Sequence, residues 1–276
     1  MIRLLFVAAF TLLGMILTPF SLRQPDWSSY ITRHNVYAQE EYVTANGDKV
    51  RAMQDLVAES AMDSRTVFLP LVTGSTQEIW HLGEGTYYDA TGAGNCSFDP
   101  SPEDLMVAAL NQTDYANAAL CGAYIEVEGP KGIVTVRIVD RCPECASGDV
   151  DMSPEAFALI ADLVAGRVPI RWRIVSPEMQ GPIVYRFKEG SNQWWTAVQI
   201  RNHRNPVAKV EYRLSNGEFK AVPRTNYNYF VDASGLGPGP YTFRVTDMYG
   251  NVLQDAGIPH IEGGEVSGGG QFPPGP

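Results

Sequence analysis

Residues 134–157 read VTVRIVDRCPECASGDVDMSPEAF, and the fold turns on how they are parsed. Val134 to Val139 is rich in β-branched side chains that suit a pleated sheet, and the run ends on Asp140. A Cys142-Pro143-Glu144-Cys145 turn follows, and a second carboxylate, Asp151, stands just before Ser153-Pro154-Glu155, which has the N-cap, first-turn proline and acidic residue of a helix start. Phe157, Ile160, Ala161 and Val164 then recur at helical spacing, predicting a helix that runs to Gly166. Two acids therefore bracket one cysteine-bearing turn between a strand and a helix.

Working outward, Tyr124–Val127 and Ile133–Val139 predict a hairpin joined by Glu128-Gly129-Pro130-Lys131-Gly132, and Ile170–Val175 alternates as a half-buried strand. Ser101-Pro102-Glu103-Asp104 predicts a short helix or turn. Beyond Gly181 the pattern is strands alone, about seven in some eighty residues, separated by turns such as Ser215-Asn216-Gly217, which argues a β-sandwich. The first 22 residues carry one charge, Arg3, before an apolar run over residues 4–22. That run reads as an export signal cleaved after Val36-Tyr37-Ala38 or as a retained anchor. The chain divides accordingly into a signal or anchor (1–38), a polar spacer (39–80), a mainly β domain with one helix (81–177), a sandwich (178–262) and a Gly/Pro-rich tail expected to be disordered (263–276).

A net charge of −10 supplies no basic field for nucleic acid. GxGxxG, HExxH and GxSxG are all missing from the sequence, and the four histidines are isolated, so no cofactor or metal is expected. Cys96, Cys121, Cys142 and Cys145 are an even set in an exported chain, which predicts two structural disulfides with three pairings open. A zinc ribbon would want a second Cys-x-x-Cys.

Asp140 and Asp151 are candidates for acid/base work, with Asp89 as a third acid. Glycoside hydrolysis needs two carboxyls roughly 5 Å apart for retention or 6.5–9.5 Å for inversion, a distance that sequence spacing does not supply. In the second domain Trp194 and Trp195 adjoin. On a regular strand they would face opposite ways, so both are exposed only where a bulge or the start of the strand breaks the alternation. An exposed indole beside polar residues suits stacking on a sugar ring.

From GTYYDATG through YIEVEGPKG, VDRCPECASGDVDMSPEAF and RWRIV to YRFKEGSNQWWTAVQIRNHRNPV and YNYFV, the sequence resembles the two-domain bacterial expansins, with a DRCPxC pattern similar to plant and fungal relatives. The resemblance implies a double-psi β-barrel followed by an immunoglobulin-like sandwich. It implies a secreted monomer that binds cellulose and matrix polysaccharide, with peptidoglycan as a further candidate, and loosens glucan contacts without hydrolysis. A weak endoglucanase or lytic transglycosylase using Asp151 as general acid, and a purely adhesive wall-binding protein, are the alternatives. Carried over by residue, Thr86, Asp140 and Asp151 match the barrel site, while Trp194, Trp195, Tyr227 and Lys188 match the polysaccharide-binding face. Cys142 stands where many bacterial relatives have tyrosine, so a disulfide replaces an aromatic contact at the rim.

Overall fold

The computed structural model describes residues 79–276. The signal or anchor and nearly all of the spacer lie outside the described residues. Among them no helix is long and apolar enough to cross a membrane.

Six strands close a barrel in the order β1-β5-β2-β4-β3-β6. They are β1 (His81–Tyr87), β2 (Val107–Asn111), β3 (Tyr124–Gly129), β4 (Gly132–Cys142), β5 (Val150–Met152) and β6 (Val168–Val175). The interior takes the apolar phase of four strands, Ile125 and Val127, Val136 and Ile138, Val150 and Met152, Ile170 and Trp172, together with Val107, Ala108 and Leu110 of β2, which is buried throughout. The opposite phase of β6 carries Arg171 and Arg173, which pair outside the barrel with Glu128 and Glu126 on β3. Trp172 is wholly buried, and its indole N–H is satisfied by Gly148 O at 2.8 Å.

The hairpin is tighter than its sequence predicts. Pairing runs to Gly129↔Gly132, which leaves only Pro130 and Lys131 in the loop. Ser101–Asp104 is a turn, closed by Ser101 Oγ on Asp104 O at 2.8 Å. Ser153 caps α2 (Pro154–Ile160), its Oγ accepting from Ala156 N at 3.0 Å; a one-turn helix, α1 (Gln112–Tyr115), follows β2. The predicted extension of α2 to Gly166 is corrected: Ala161 is already extended, and after a break one 3-10 turn spans Leu163–Ala165. Phe157, Ile160 and Ala161 are buried, whereas Val164 is 95% exposed because it lies past that break.

The second half packs two four-stranded sheets, β10-β9-β12-β13 against β11-β8-β7-β14. The strands are β7 (Val184–Phe187), β8 (Thr196–Arg201), β9 (Val207–Arg213), β10 (Phe219–Val222), β11 (Phe230–Asp232), β12 (Tyr241–Asp247), β13 (Val252–Ile258) and β14 (Glu265–Ser267). Tyr185, Phe187, Val198, Ile200, Val210, Phe243 and Val245 fill the space between them. The tail expected to be disordered is folded. Glu265–Ser267 adds an edge strand to β7, Phe272 is buried in the sandwich core, and Gly275 N donates to Ser176 Oγ at 2.8 Å. Its glycine and proline content favours disorder only when no partner exists; here a free sheet edge and one aromatic side chain recruit it.

Candidate functional site

Strand register assembles the barrel site. Thr86 on β1 is the Cα partner of Asp151 on β5, Asp151 is the partner of Ala109 on β2, and Ala109 is the partner of Asp140 on β4. Residues directly opposite on paired strands project to one face. Thr86, Asp151 and Asp140 therefore form a row, with only the methyl of Ala109 between the acids. Asp140 shares sequence phase with the buried Val134, Val136 and Ile138. A register shift between Ala108/Ala109 on β2 and Ile138/Asp140 on β4 breaks the alternation and brings it to the rim.

Each acid is held differently. Thr86 Oγ1 donates to Asp151 Oδ1 at 2.5 Å. Burial pushes the Asp151 carboxyl above the ordinary aspartate range against the pull of that hydroxyl. The charges of Glu144 and Asp140 add to the rise, and Arg167 opposes it. Asp140 Oδ1 accepts from the main-chain N–H of Asn95 at 2.6 Å and of Arg141 at 2.8 Å. The Arg141 guanidinium turns instead to Gln112 at 2.8 Å. The loop can close over Asp140 because residue 94 is glycine: a Cβ there would fall 2.4 Å from the Asp140 carboxyl carbon. Asp89 is exposed and joins none of these bonds.

The cysteines pair as Cys96–Cys121 and Cys142–Cys145. The sulfurs of the second bridge and a carboxylate oxygen of Asp151 lie within 4.8 Å of one another, so this disulfide forms the wall beside the acid. Bonded to each other, the two sulfurs are not thiolate ligands.

Tyr88 was not singled out by sequence. Its hydroxyl is buried without a hydrogen-bond partner among the described residues, and burial together with the charges of Asp140 and Asp151 pushes the phenol up. A buried unpaired hydroxyl costs about 1–3 kcal/mol, and a ligand hydroxyl entering the row would relieve that cost. Its only sequence signal is its place in the Thr86-Tyr87-Tyr88-Asp89 run.

On the sandwich, Trp194 and Trp195 precede β8 and lie in a turn closed by an Asn192↔Trp195 bridge. The strand alternation does not bind them: Trp194 is 73% exposed and Trp195 is half-buried. Lys188 N donates to Ala197 O at 3.1 Å, which puts the end of β7 beside the start of β8. The Lys188 ammonium lies 5.6 Å from the centroid of the buried Tyr229 ring, and half-buried Tyr227 lies against the same ring at 6.1 Å.

The row is tied to the loop that carries Tyr227. Asn95, whose main chain holds Asp140, donates its side-chain amide to Tyr115 Oη at 2.7 Å and to Asn226 O at 2.8 Å. Tyr115 donates to the same carbonyl at 2.8 Å. Asn226 is the residue before Tyr227. Gln199 Nε2 to Cys96 O at 2.8 Å and Arg201 to Asp99 at 2.6 Å add further ties between barrel and sandwich. Asn95 is invisible to motif reading because its partners lie 45 and 131 residues away.

A family model described as lytic transglycolase matches residues 107–172. Expansin-YoaJ of Bacillus subtilis is 40% identical over 199 residues, covering 70% of this chain and 84% of its own. The chain is an expansin. The crystal structure of apo Clavibacter michiganensis expansin superposes on it with TM-score 0.66 at 34% identity, over 71% of this chain and 99% of that one. A point mutant of the same expansin in complex with cellohexaose aligns equally well, with TM-score 0.66, 33% identity and the same coverage. The fold of this expansin is thus the mainly β pairing of a barrel with further β-sheets that its sequence implies.

Proposed function

We propose that this expansin is a secreted protein that binds cellulose and associated wall polysaccharide and loosens contacts between glucan chains without cleaving them. The sandwich stacks a chain on Trp194, Trp195 and Tyr227, with Lys188 at the edge. The barrel row of Thr86, Asp140 and Asp151, joined by Tyr88, exchanges hydrogen bonds with an adjoining chain. Binding energy then competes with chain-to-chain contacts. The observation that supports this reading is the bonded path from Asp140 through Asn95 to Asn226 beside Tyr227, which ties the acid row to the loop that carries one of the three aromatics. The cellohexaose complex of the Clavibacter expansin, at 33% identity, supports cellulose as the target class.

One observation favours a second reading. Asp151 is held toward its protonated form, as a general acid requires, and the matched family model is described as lytic transglycolase. Against it, the acids whose charges reach Asp151 are Glu144 and Asp140, and Asp140 is tied down by two main-chain donors. A wall-weakening assay paired with product detection on cellulose, xyloglucan and peptidoglycan decides between them. The non-hydrolytic reading expects weakening with no released sugar in the wild type and in Asp89→Asn. Product that Asp151→Asn abolishes would establish the second reading, and binding without weakening would leave only adhesion.

A further inference from the structure

A cavity of about 230 Å³, lined by polar and apolar side chains alike, lies in the seam between barrel and sandwich and shares no residue with the acid row or with Trp194, Trp195, Tyr227 and Lys188. Its charges do not balance. Arg201 is neutralised by Asp99 at 2.6 Å and Glu265 at 2.7 Å. The guanidinium of Arg137, on β4, meets no carboxylate and no hydrogen-bond acceptor among the described residues; it lies against the Phe98 ring, 5.1 Å from the centroid. His203 in the same wall adds no charge at neutral pH, since burial and the nearby Arg224 and Arg137 push its imidazole down to about 4. The remaining polar groups are of hydroxyl-binding type. The half-buried Tyr124 phenol lies within reach of the Arg137 charge and makes no hydrogen bond among the described residues, and Asn202 spends its amide N–H groups on Gln180 O at 2.9 Å and Pro182 O at 2.7 Å, leaving its oxygen as an acceptor.

We propose that this cavity binds a single carboxylated sugar ring, a hexuronate, with its carboxylate on the fork of Arg137 and its hydroxyls on Tyr124, Asn202 and Glu265. One planar guanidinium matches a carboxylate bidentately. A dianionic phosphate is disfavoured by the Glu265 carboxylate in the same wall. A neutral sugar leaves Arg137 unpaired. The volume falls below the ~300–1,000 Å³ of drug-sized sites and suits one ring. The site is independent of the cellulose reading, and cellulose binding by the same proteins reports that reading separately.

The test is an amide chemical-shift titration of the full chain with D-glucuronate, D-glucose and inorganic phosphate. Glucuronate is expected to move Gly122, Tyr124, Arg137 and Asn202 saturably, while glucose and phosphate do not. Arg137→Gln should weaken glucuronate at least tenfold with cellulose binding unchanged, and Tyr124→Phe by a smaller factor. If Arg137→Gln fails to fold, Arg137→Lys keeps the charge without the fork and should still weaken binding severalfold. Glucuronate affinity unchanged in these Arg137 variants, no saturable shift in the wild type, or equal shifts with glucose would overturn the proposal.

Discussion

The barrel and the sandwich present their groups by opposite means. In the barrel, backbone register sets the site: Thr86, Asp151 and Asp140 stand in one row because their strands pair at those residues, and each acid accepts a short hydrogen bond from a neighbouring strand or loop. On the sandwich, turns and loop ends set it: Trp194 and Trp195 precede their strand, and Tyr227 precedes β11. A register-built site resists movement but places charges where burial acts on them. A turn-built site leaves large apolar faces open, as stacking on a flat polymer requires.

Changes to each half test this contrast. Replacing Trp194, Trp195 and Tyr227 by alanine should weaken cellulose binding by ~1,000-fold or more, at ~1.5–3 kcal/mol per aromatic and ~1.4 kcal/mol per decade, with the exposed Trp194 contributing little to any change in melting. Unchanged depletion isotherms would refute the platform. Next, ending the chain at Gly270 removes the buried Phe272 ring and should cost ~3–5 kcal/mol, read by thermal melting; an unaltered midpoint would mean that residues 271–276 contribute nothing to the sandwich.

The two disulfides separate stability from site. Cys96–Cys121 closes a loop of sequence separation 25, so Cys96→Ser/Cys121→Ser should cost ~3–4 kcal/mol by loop entropy. Cys142–Cys145 spans a separation of 3, and its loss should cost ~2 kcal/mol while reducing wall weakening more than cellulose binding. Equal losses in weakening and binding would break the assignment of that bridge to the acid row.

The smallest effect concerns Asp151. Its folded pKa is raised, so the neutral carboxyl contributes stability that is complete below the unfolded value of 3.8 and is lost as pH rises through the higher folded value. Asp151→Asn should therefore show a shallower fall in melting temperature from acid toward neutral pH than the wild type. Thr86→Val, which removes the hydroxyl that favours the ionised form, should move the Asp151 titration further upward in a carbon-detected NMR experiment. A downward move would mean that Thr86 does not act on that acid.

Much of this was legible in one dimension, and the parts that were share a cause. The Ser153-Pro154-Glu155 helix start, the outward phase of Arg171 and Arg173, and the even set of cysteines each depend on residues close in sequence, so local chemistry reports them. The acids were found as types beside a turn. Their alignment was not, because it depends on a register shift at Val139 and on Ala109, which carries no chemical signal. The predicted helix overran its true end since Val164 kept the period after the backbone had left it. The tail failed for the reverse reason: its composition describes a lone chain, and the edge of β7 offered it hydrogen bonds.

By itself, then, the amino-acid sequence determined the strand content, the cysteine count and the residue types of both candidate surfaces, since side-chain periodicity and turn chemistry act within a few residues. Only the tertiary structure decided which cysteines pair, that Asp140 and Asp151 flank one alanine, that Asn95 ties the acid row to the loop carrying Tyr227, and that Arg137 meets no carboxylate among the described residues. Each of those facts is a distance between residues far apart in the chain, and no local pattern encodes such a distance.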